Sequence, residues 1–354
     1  MSAESRTSTK PLVITQGDPA GIGPEIIAKA FRDAPEVTRG CFVVGDVATL
    51  RRAVQCVSEE GDLPLPVARI DDACEALSMP PRCIPVLQLP GMPAALVPVG
   101  QLSREGGEAA AQCVVWAARA ALREEVAALV TAPLHKEALS LAGVSFPGHT
   151  ELLQAESAAF KGVDIGAMPV RMMLANDSLR TVLVSIHVSL RDAIDAVTFE
   201  NVLQTLRITH NALSRTLGRA PRIGVAGLNP HAGEGGLFGR EELEIIAPAV
   251  AKAQTEGIFA TGPFAPDTVF MRARGSVDKV GEFDVVIAMY HDQGLIPIKY
   301  LGVDSGVNVT LGLPLVRTSP DHGTAFDIAG RGIADAASLI ESIQVAKRLA
   351  GWRE

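Results

Sequence analysis

Three of the seven histidines in this chain follow short apolar runs in the same manner. Residues 285–289 (VVIAM) lead through Tyr290 into His291 and Asp292, residues 181–186 (TVLVSI) into His187, and residues 223–228 (IGVAGL) through Asn229 and Pro230 into His231. Runs this short and rich in β-branched residues suit buried parallel strands. Ligands of open α/β sheets bind beyond the carboxyl ends of such strands. One strand-end imidazole would read as a cap, but three delivered alike would make a metal site with positions left open for water or substrate. Their spacing is long-range and matches no short zinc motif.

Other residues suit an anionic ligand. Lys299, Asn308 and Arg317 flank the strand-like GVNVTLG. Lysine as a point charge and arginine as a planar fork suit phosphate, and a setting between apolar runs argues against plain surface charge. In FPGHTELL, residues 146–153, a Pro-Gly turn leads into a helix with His149 and Thr150 at its start. The free N–H groups and dipole of a helix N-terminus make an anion site, although an ordinary threonine cap would look the same. TAPLHKEAL reads as a helix with Pro133 in its first turn, and its His135 and Lys136 would by themselves be a solvated face. Asp267, in GPFAPDTVF, lies in a Pro-bounded loop where a lone Asp is usually a turn former. HAGEGGLFG supplies a glycine-rich turn that lets backbone approach a ligand.

Near the start, GDPAGIGPE invites a dinucleotide-binding reading that fails. After Gly21 and Gly23 the third glycine would fall at Ile26, and no P-loop lysine follows. A tight loop opening a helix fits better, with Pro24 in the first turn and Glu25 at the positive end of the dipole. Asp18 reads as structural.

The elements that must carry these groups alternate between strand and helix. Strands are expected at 12–15, 41–45, 127–131, 170–174, 181–186, 223–228 and 285–289, and helices at 48–57, 105–122, 199–217, 241–256 and 334–349. The chain has 354 residues, enough for roughly two domains of about 150 residues. A hydrophobic fraction of 47% with only 4% aromatics fits helices packed closely on a sheet. With a formal net charge of -8 and no basic face, nucleic-acid binding is set aside. No apolar run approaches the length of a membrane span. The N-terminal MSAESRTSTK lacks the core of a secretory signal and is expected to fray. Five cysteines without a C-x-x-C pair are read as reduced thiols of a cytoplasmic protein.

The strings GDPAGIGPEI, TAPLHKEAL, FPGHTELL, GLNPHAGEGGLFG, YHDQGLIPIK, GVNVTLGLP and RTSPDHGTAFDIAGRG occur in this order from near residue 15 to near residue 335. Together they resemble the 4-hydroxythreonine-4-phosphate dehydrogenase family of vitamin B6 biosynthesis. The last also resembles the HGSAPDIAGKG loop by which isopropylmalate dehydrogenases hold the adenosine of NAD. The resemblance implies an isocitrate/isopropylmalate dehydrogenase-like α/β fold of two domains, residues 1–138 with 315–354 on the cofactor side and 139–314 on the metal and substrate side, the active site lying in the cleft between them. It implies a divalent metal (Zn, Mg, Co or Mn) on His187, His231 and His291, and substrate contacts from His149, Thr150, Lys299, Asn308 and Arg317. NAD or NADP would meet Thr318, His322, Gly323 and Asp327, and Asp267, Asp292 and Lys136 become candidates for catalytic roles. A homodimer with its active site at the subunit interface is implied as well.

The implied reaction oxidises 4-phosphooxy-L-threonine to 2-amino-3-oxo-4-phosphooxybutanoate, which loses carbon dioxide to give 3-amino-2-oxopropyl phosphate. Related enzymes oxidise other phosphorylated hydroxy acids, so threonate or erythronate 4-phosphate is the alternative substrate. A metal-dependent phosphatase would have no use for a DIAGRG-type cofactor loop, and an inactive binding paralogue would have lost metal ligands.

Overall fold

The computed structural model describes residues 9–353 except 60, 62, 64, 276–279 and 303–305; most of the N-terminal segment expected to fray lies outside this range. Along the chain the strands are β1 (Leu12–Thr15), β2 (Cys41–Gly45), β3 (Val67–Ile70), β4 (Ile84–Gln88), β5 (Ala128–Thr131), β6 (Arg171–Ala175), β7 (Arg180–Leu183), β8 (Ile223–Ala226), β9 (Ala260–Phe264), β10 (Val285–Ala288), β11 (Val307–Leu311) and β12 (Arg317–Pro320). The helices are α1 (Gly23–Asp33), α2 (Pro35–Thr38), α3 (Val47–Val57), α4 (Arg104–Leu122), α5 (Lys136–Leu141), α6 (His149–Lys161), α7 (Leu190–Asp195), α8 (Phe199–Leu217), α9 (Ala247–Thr255), α10 (Pro266–Ala273), α11 (His291–Leu301) and α12 (Ala337–Ala350). The α/β class read from the sequence is the class observed.

Contacts divide the chain into two compact units, one running to Pro169 and resuming at Leu313, the other spanning Val170–Gly312. In the first, six strands pair in parallel in the order β3-β4-β2-β1-β5-β12. Its central strands are buried at every position, which is why LVIT and ALVT read as continuous apolar runs rather than alternating ones. The core of this unit joins Ile14, Ile26, Val43 and Val130 to Leu339 and Ile343 of α12. In the second, the order is β11-β6-β7-β10-β8-β9. Strands β7, β10, β8 and β9 run parallel, and β11 and β6 are antiparallel additions.

Several local expectations shift. The first boundary was expected near residue 138, but α5 and α6 belong to the first unit. Gly107 of α4 lies so close to α5 that a Cβ there would collide with the Ala138 carbonyl. Arg119 of α4 forks onto Glu156 of α6 at 2.7 and 3.1 Å. Pro133 is not in a helical first turn, because its carbonyl accepts the Asp18 N–H at 2.9 Å and holds the segment extended until Lys136. The last helix starts at Ala337 rather than 334: the Ala334 carbonyl is taken by Lys29 at 2.6 Å, and Asp335 accepts the Ala337 N–H at 2.8 Å. Asp267 sits in the first turn of α10 instead of a loop.

Candidate active site

In the second unit the chain reverses its direction of strand addition between β8 and β10, the kind of position where an open α/β sheet leaves a ligand crevice. The side chain of Gln293, in α11, spans that point. Its Oε1 accepts the Met289 N–H at 2.6 Å beyond β10, and its Nε2 donates to the Gly227 carbonyl at 2.8 Å beyond β8. Ser185 ties in the end of β7 by donating to the Met289 carbonyl at 3.0 Å. The three strand ends that deliver His187, His231 and His291 are therefore cross-linked by two polar side chains.

His187 and His291 come together, with ring centroids 5.6 Å apart. His291 Nδ1 lies 2.7 Å from Asp292 Oδ1, a pairing that puts the proton on Nδ1 and directs the lone pair of Nε2 outward. Asp292 thus finds a place as the carboxylate that orients an imidazole. His231 is held differently. It opens a run of six residues with positive φ, through Gly236, and its Nδ1 lies 3.3 Å from Glu234 while its ring packs edge-on with Phe238. Among the described residues no three His, Cys, Asp or Glu side chains stand in a metal-holding arrangement. The expected convergence of all three imidazoles is therefore not met within one chain, because this left-handed turn aims His231 at Glu234. As a donor set the group fits a divalent cation in chemistry: three imidazoles, two of them with Nδ1 on a carboxylate and Nε2 available.

The turn itself is built on Glu242, a buried carboxylate with no part in the sequence reading. Its Oε1 accepts the backbone N–H groups of Leu228 and Asn229, both at 2.7 Å, and its Oε2 accepts the Asn229 side-chain amide at 3.0 Å. Glu242 lies close enough to the Gly227 and Gly233 positions that any side chain there would meet it. Lys299 lies in the last turn of α11, Asn308 is partly buried in β11, and Asp267 is exposed.

In the first unit strand addition reverses between β1 and β5, and polar groups collect at the carboxyl ends of these strands. Arg317, on β12, is 4% exposed, and its Nε and Nη2 donate to Thr131 Oγ1 at 3.1 and 2.8 Å. Burial lowers its pKa to about 10 against a counteracting pull from Glu151, so at neutral pH it remains a cation. His149 opens α6, and its Nε2 is buried without a hydrogen-bond partner. Burial first, and Arg317 second, push its pKa well below the usual imidazole range, so the ring is neutral. Gly148 caps this helix without a side-chain bond, and the stem of Lys136 passes beside it. A buried guanidinium beside an uncapped helix start is an arrangement chemically suited to an anion.

Nearby, Asp18 Oδ2 and His135 Nδ1 are also buried without partners, and burial raises the Asp18 pKa despite the Ala20 N–H and His135. His135 stacks on Phe326, centroids 5.0 Å apart, within the loop that carries His322, Gly323 and Asp327. Those three are exposed, and a Cβ on Gly323 would meet nothing within 4 Å. Thr318 does not belong with them: it is fully buried, and its hydroxyl donates to the Ser342 carbonyl at 2.8 Å, a packing role between β12 and α12.

Known proteins resemble the whole chain. The family described as "Pyridoxal phosphate biosynthetic protein PdxA" matches residues 38–346. A 4-hydroxythreonine-4-phosphate dehydrogenase of Beijerinckia indica is 51% identical over 341 residues, covering 96% of this chain and 95% of that protein. A D-threonate 4-phosphate dehydrogenase of Salmonella typhimurium is 43% identical over 342 residues, with 97% and 99% covered. The crystal structure of a 4-hydroxythreonine-4-phosphate dehydrogenase from Klebsiella pneumoniae superposes with a TM-score of 0.85 at 41% identity, covering 97% of this chain and all of that one. A terephthalate 1,2-cis-dihydrodiol dehydrogenase from Burkholderia xenovorans is more distant, at 28% identity and a TM-score of 0.65, with 98% and 99% covered.

Proposed function

We propose, from the premise that this chain belongs to the PdxA family of pyridoxal phosphate biosynthetic proteins, that it is a cytoplasmic, metal-dependent, NAD- or NADP-linked dehydrogenase of 4-phosphooxy-L-threonine. The observation that carries this reading is the buried, cationic Arg317 beside the neutral His149 at the start of α6, a receptor suited to a phosphate and out of place on a substrate without one.

In this reading Arg317, His149 and Thr150 bind and orient the terminal phosphate, with Lys299 and Asn308 as further substrate contacts. His187, His231 and His291 are the metal ligands. A divalent cation held there would supply Lewis acidity toward a substrate hydroxyl and the ketone derived from it, and a bound nicotinamide would supply the hydride acceptor. The residues of the chain prepare that step. Asp292 would fix the His291 tautomer so that Nε2 is left to hold the metal, and Glu234 would do the same for His231. Asp267 and Lys136 remain candidates for moving the hydroxyl proton. The product is a β-keto acid, whose carboxylate leaves as carbon dioxide to give 3-amino-2-oxopropyl phosphate.

The reading includes a homodimer with the active site at the subunit interface. Exposed Val188, Leu190, Leu237, Phe238 and Ile296 neighbour the three histidines in sequence. Exposed apolar side chains grouped around polar ligands favour a protein partner, and a twofold mate is the commonest one. Such a mate would let His231 complete the metal set of the opposite subunit.

A second reading rests on the D-threonate 4-phosphate dehydrogenases among the relatives. Their substrate bears a hydroxyl where 4-phosphooxy-L-threonine bears an amine. A panel of 4-phosphooxy-L-threonine, D-threonate and D-erythronate 4-phosphates, followed by absorbance of the reduced nicotinamide, tests both. Highest kcat/KM with the amino substrate supports the first reading, preference for a threonate supports the second, and no reduction with any of them overturns both.

A further inference from the structure

The loop from His322 to Ala334 is gripped by one face of α1. Ile22, Glu25 and Lys29 are spaced three and four apart, which stacks them along a single side of a helix. Each takes a separate point of the loop. The Ile22 N–H donates to the Thr324 carbonyl at 3.0 Å. The Glu25 carboxylate accepts the Gly330 N–H on one oxygen and the Gly332 N–H, at 2.9 Å, on the other. The Lys29 ammonium donates to the Ala334 carbonyl at 2.6 Å.

At two points the backbones approach closely. A Cβ on Gly21 would lie 2.9 Å from both Cβ and the carbonyl oxygen of Thr324. Gly332 has φ of +66°, and a Cβ there would lie 2.5 Å from the Cys56 carbonyl oxygen. Glu25 is itself 4% exposed, and a carboxylate buried this far is held where it is useful as a paired acceptor. Its position in the first turn of α1 satisfies the dipole, yet its oxygens are spent on the loop rather than on the N–H groups of its own helix.

We propose that α1 is a clamp that preorganises the 322–334 loop for the dinucleotide, and that Glu25 is its positioning residue. The proposal rests on the reading that this loop holds the cofactor. Glu25 touches neither cofactor nor substrate in this account. It acts by fixing two glycine amides and through them the backbone between Asp327 and Gly332.

The test uses the full-length protein and two readouts. In the protein without ligands, hydrogen exchange at the Gly330 and Gly332 amides should quicken by about tenfold or more in Glu25→Ala, the size of one charge-assisted bond, with the β1 and β5 amides unchanged. In steady-state kinetics the same variant should raise KM for the dinucleotide about tenfold and leave KM for the hydroxy acid within about twofold. Glu25→Gln keeps one good acceptor and should fall between wild type and Glu25→Ala in both. If Glu25→Ala does not fold, Glu25→Gln carries the comparison alone. Unchanged exchange at both glycines, or equal rises in the two KM values, overturns the clamp. A wild-type protein that reduces no nicotinamide refutes the dehydrogenase reading instead, and the exchange measurement then still decides whether Glu25 holds the loop.

Discussion

Replacing Arg317 by Met should weaken substrate binding and at the same time leave the folded protein as stable as before, or more so. Burial lowers the guanidinium pKa from 12.5 to about 10. At roughly 1.4 kcal/mol for each pKa step, the fold disfavours the charged form by about 3 kcal/mol. Both the folded and unfolded values lie above neutrality, so the full cost applies at pH 7. Methionine removes the charge, fills much of the same volume and leaves Thr131, whose hydroxyl turns readily to another acceptor. The lost hydrogen bonds return part of the gain, giving an expected change between zero and about +2 kcal/mol. Binding moves the other way. One charge-assisted bond to phosphate is worth about 1.5 to 3 kcal/mol, or roughly ten- to a hundredfold in kcat/KM, and 4-hydroxythreonine without its phosphate should lose little. Urea melts of the ligand-free protein and kcat/KM for the two substrates measure both arms. A destabilisation beyond about 2 kcal/mol, together with equal losses on both substrates, would make Arg317 a structural cation and refute the reasoning.

Other consequences follow from the same geometry. Glu242→Ala strips the acceptor from two backbone N–H groups and an amide and should cost roughly 2 to 4 kcal/mol in urea unfolding; a change below about 0.5 kcal/mol would mean the turn stands without it. The His149 pKa lies lower folded than unfolded, so the unfolded chain takes up the proton first and stability falls as pH drops below the ordinary imidazole value near 6.5. Against His149→Gln, wild type should lose about 1 kcal/mol more between pH 7.5 and pH 5.5, and parallel pH profiles would rule this out. Sedimentation should find a dimer at assay concentrations, and an active monomer would remove the shared-site reading.

Much of this architecture was legible because buried parallel strands announce themselves as unbroken apolar runs. LVIT, ALVT, IGVA and VVIA were each found within a residue or two, and with them the strand ends that carry histidines. What lay hidden depends on long-range partners. Nothing local says that Glu25 spends its carboxylate on glycines some three hundred positions away, or that Gln293 bridges two strand ends. His231 follows β8, but its ring direction follows from a left-handed turn organised by Glu242, thirteen residues from Asn229. Thr318 shows the converse. Its neighbourhood in the sequence suggested a cofactor contact, and the packing of β12 against α12 turned it inward. The boundary near residue 138 failed for a similar reason, since the docking of α5 on α4 through Gly107 leaves no mark on the polarity of the segment.

In the proposed function, imidazoles beyond the ends of β7, β8 and β10 hold a divalent metal needed for oxidation of a phosphorylated hydroxy acid. This is tested most directly by turnover of 4-phosphooxy-L-threonine with NAD and with NADP, before and after exhaustive chelation, with metal content read by elemental analysis. Activity should fall with metal content, return on adding Zn, Mg, Co or Mn, and be absent from His187→Ala, His231→Ala and His291→Ala whatever metal is added. Full turnover by protein shown to contain no metal would contradict it.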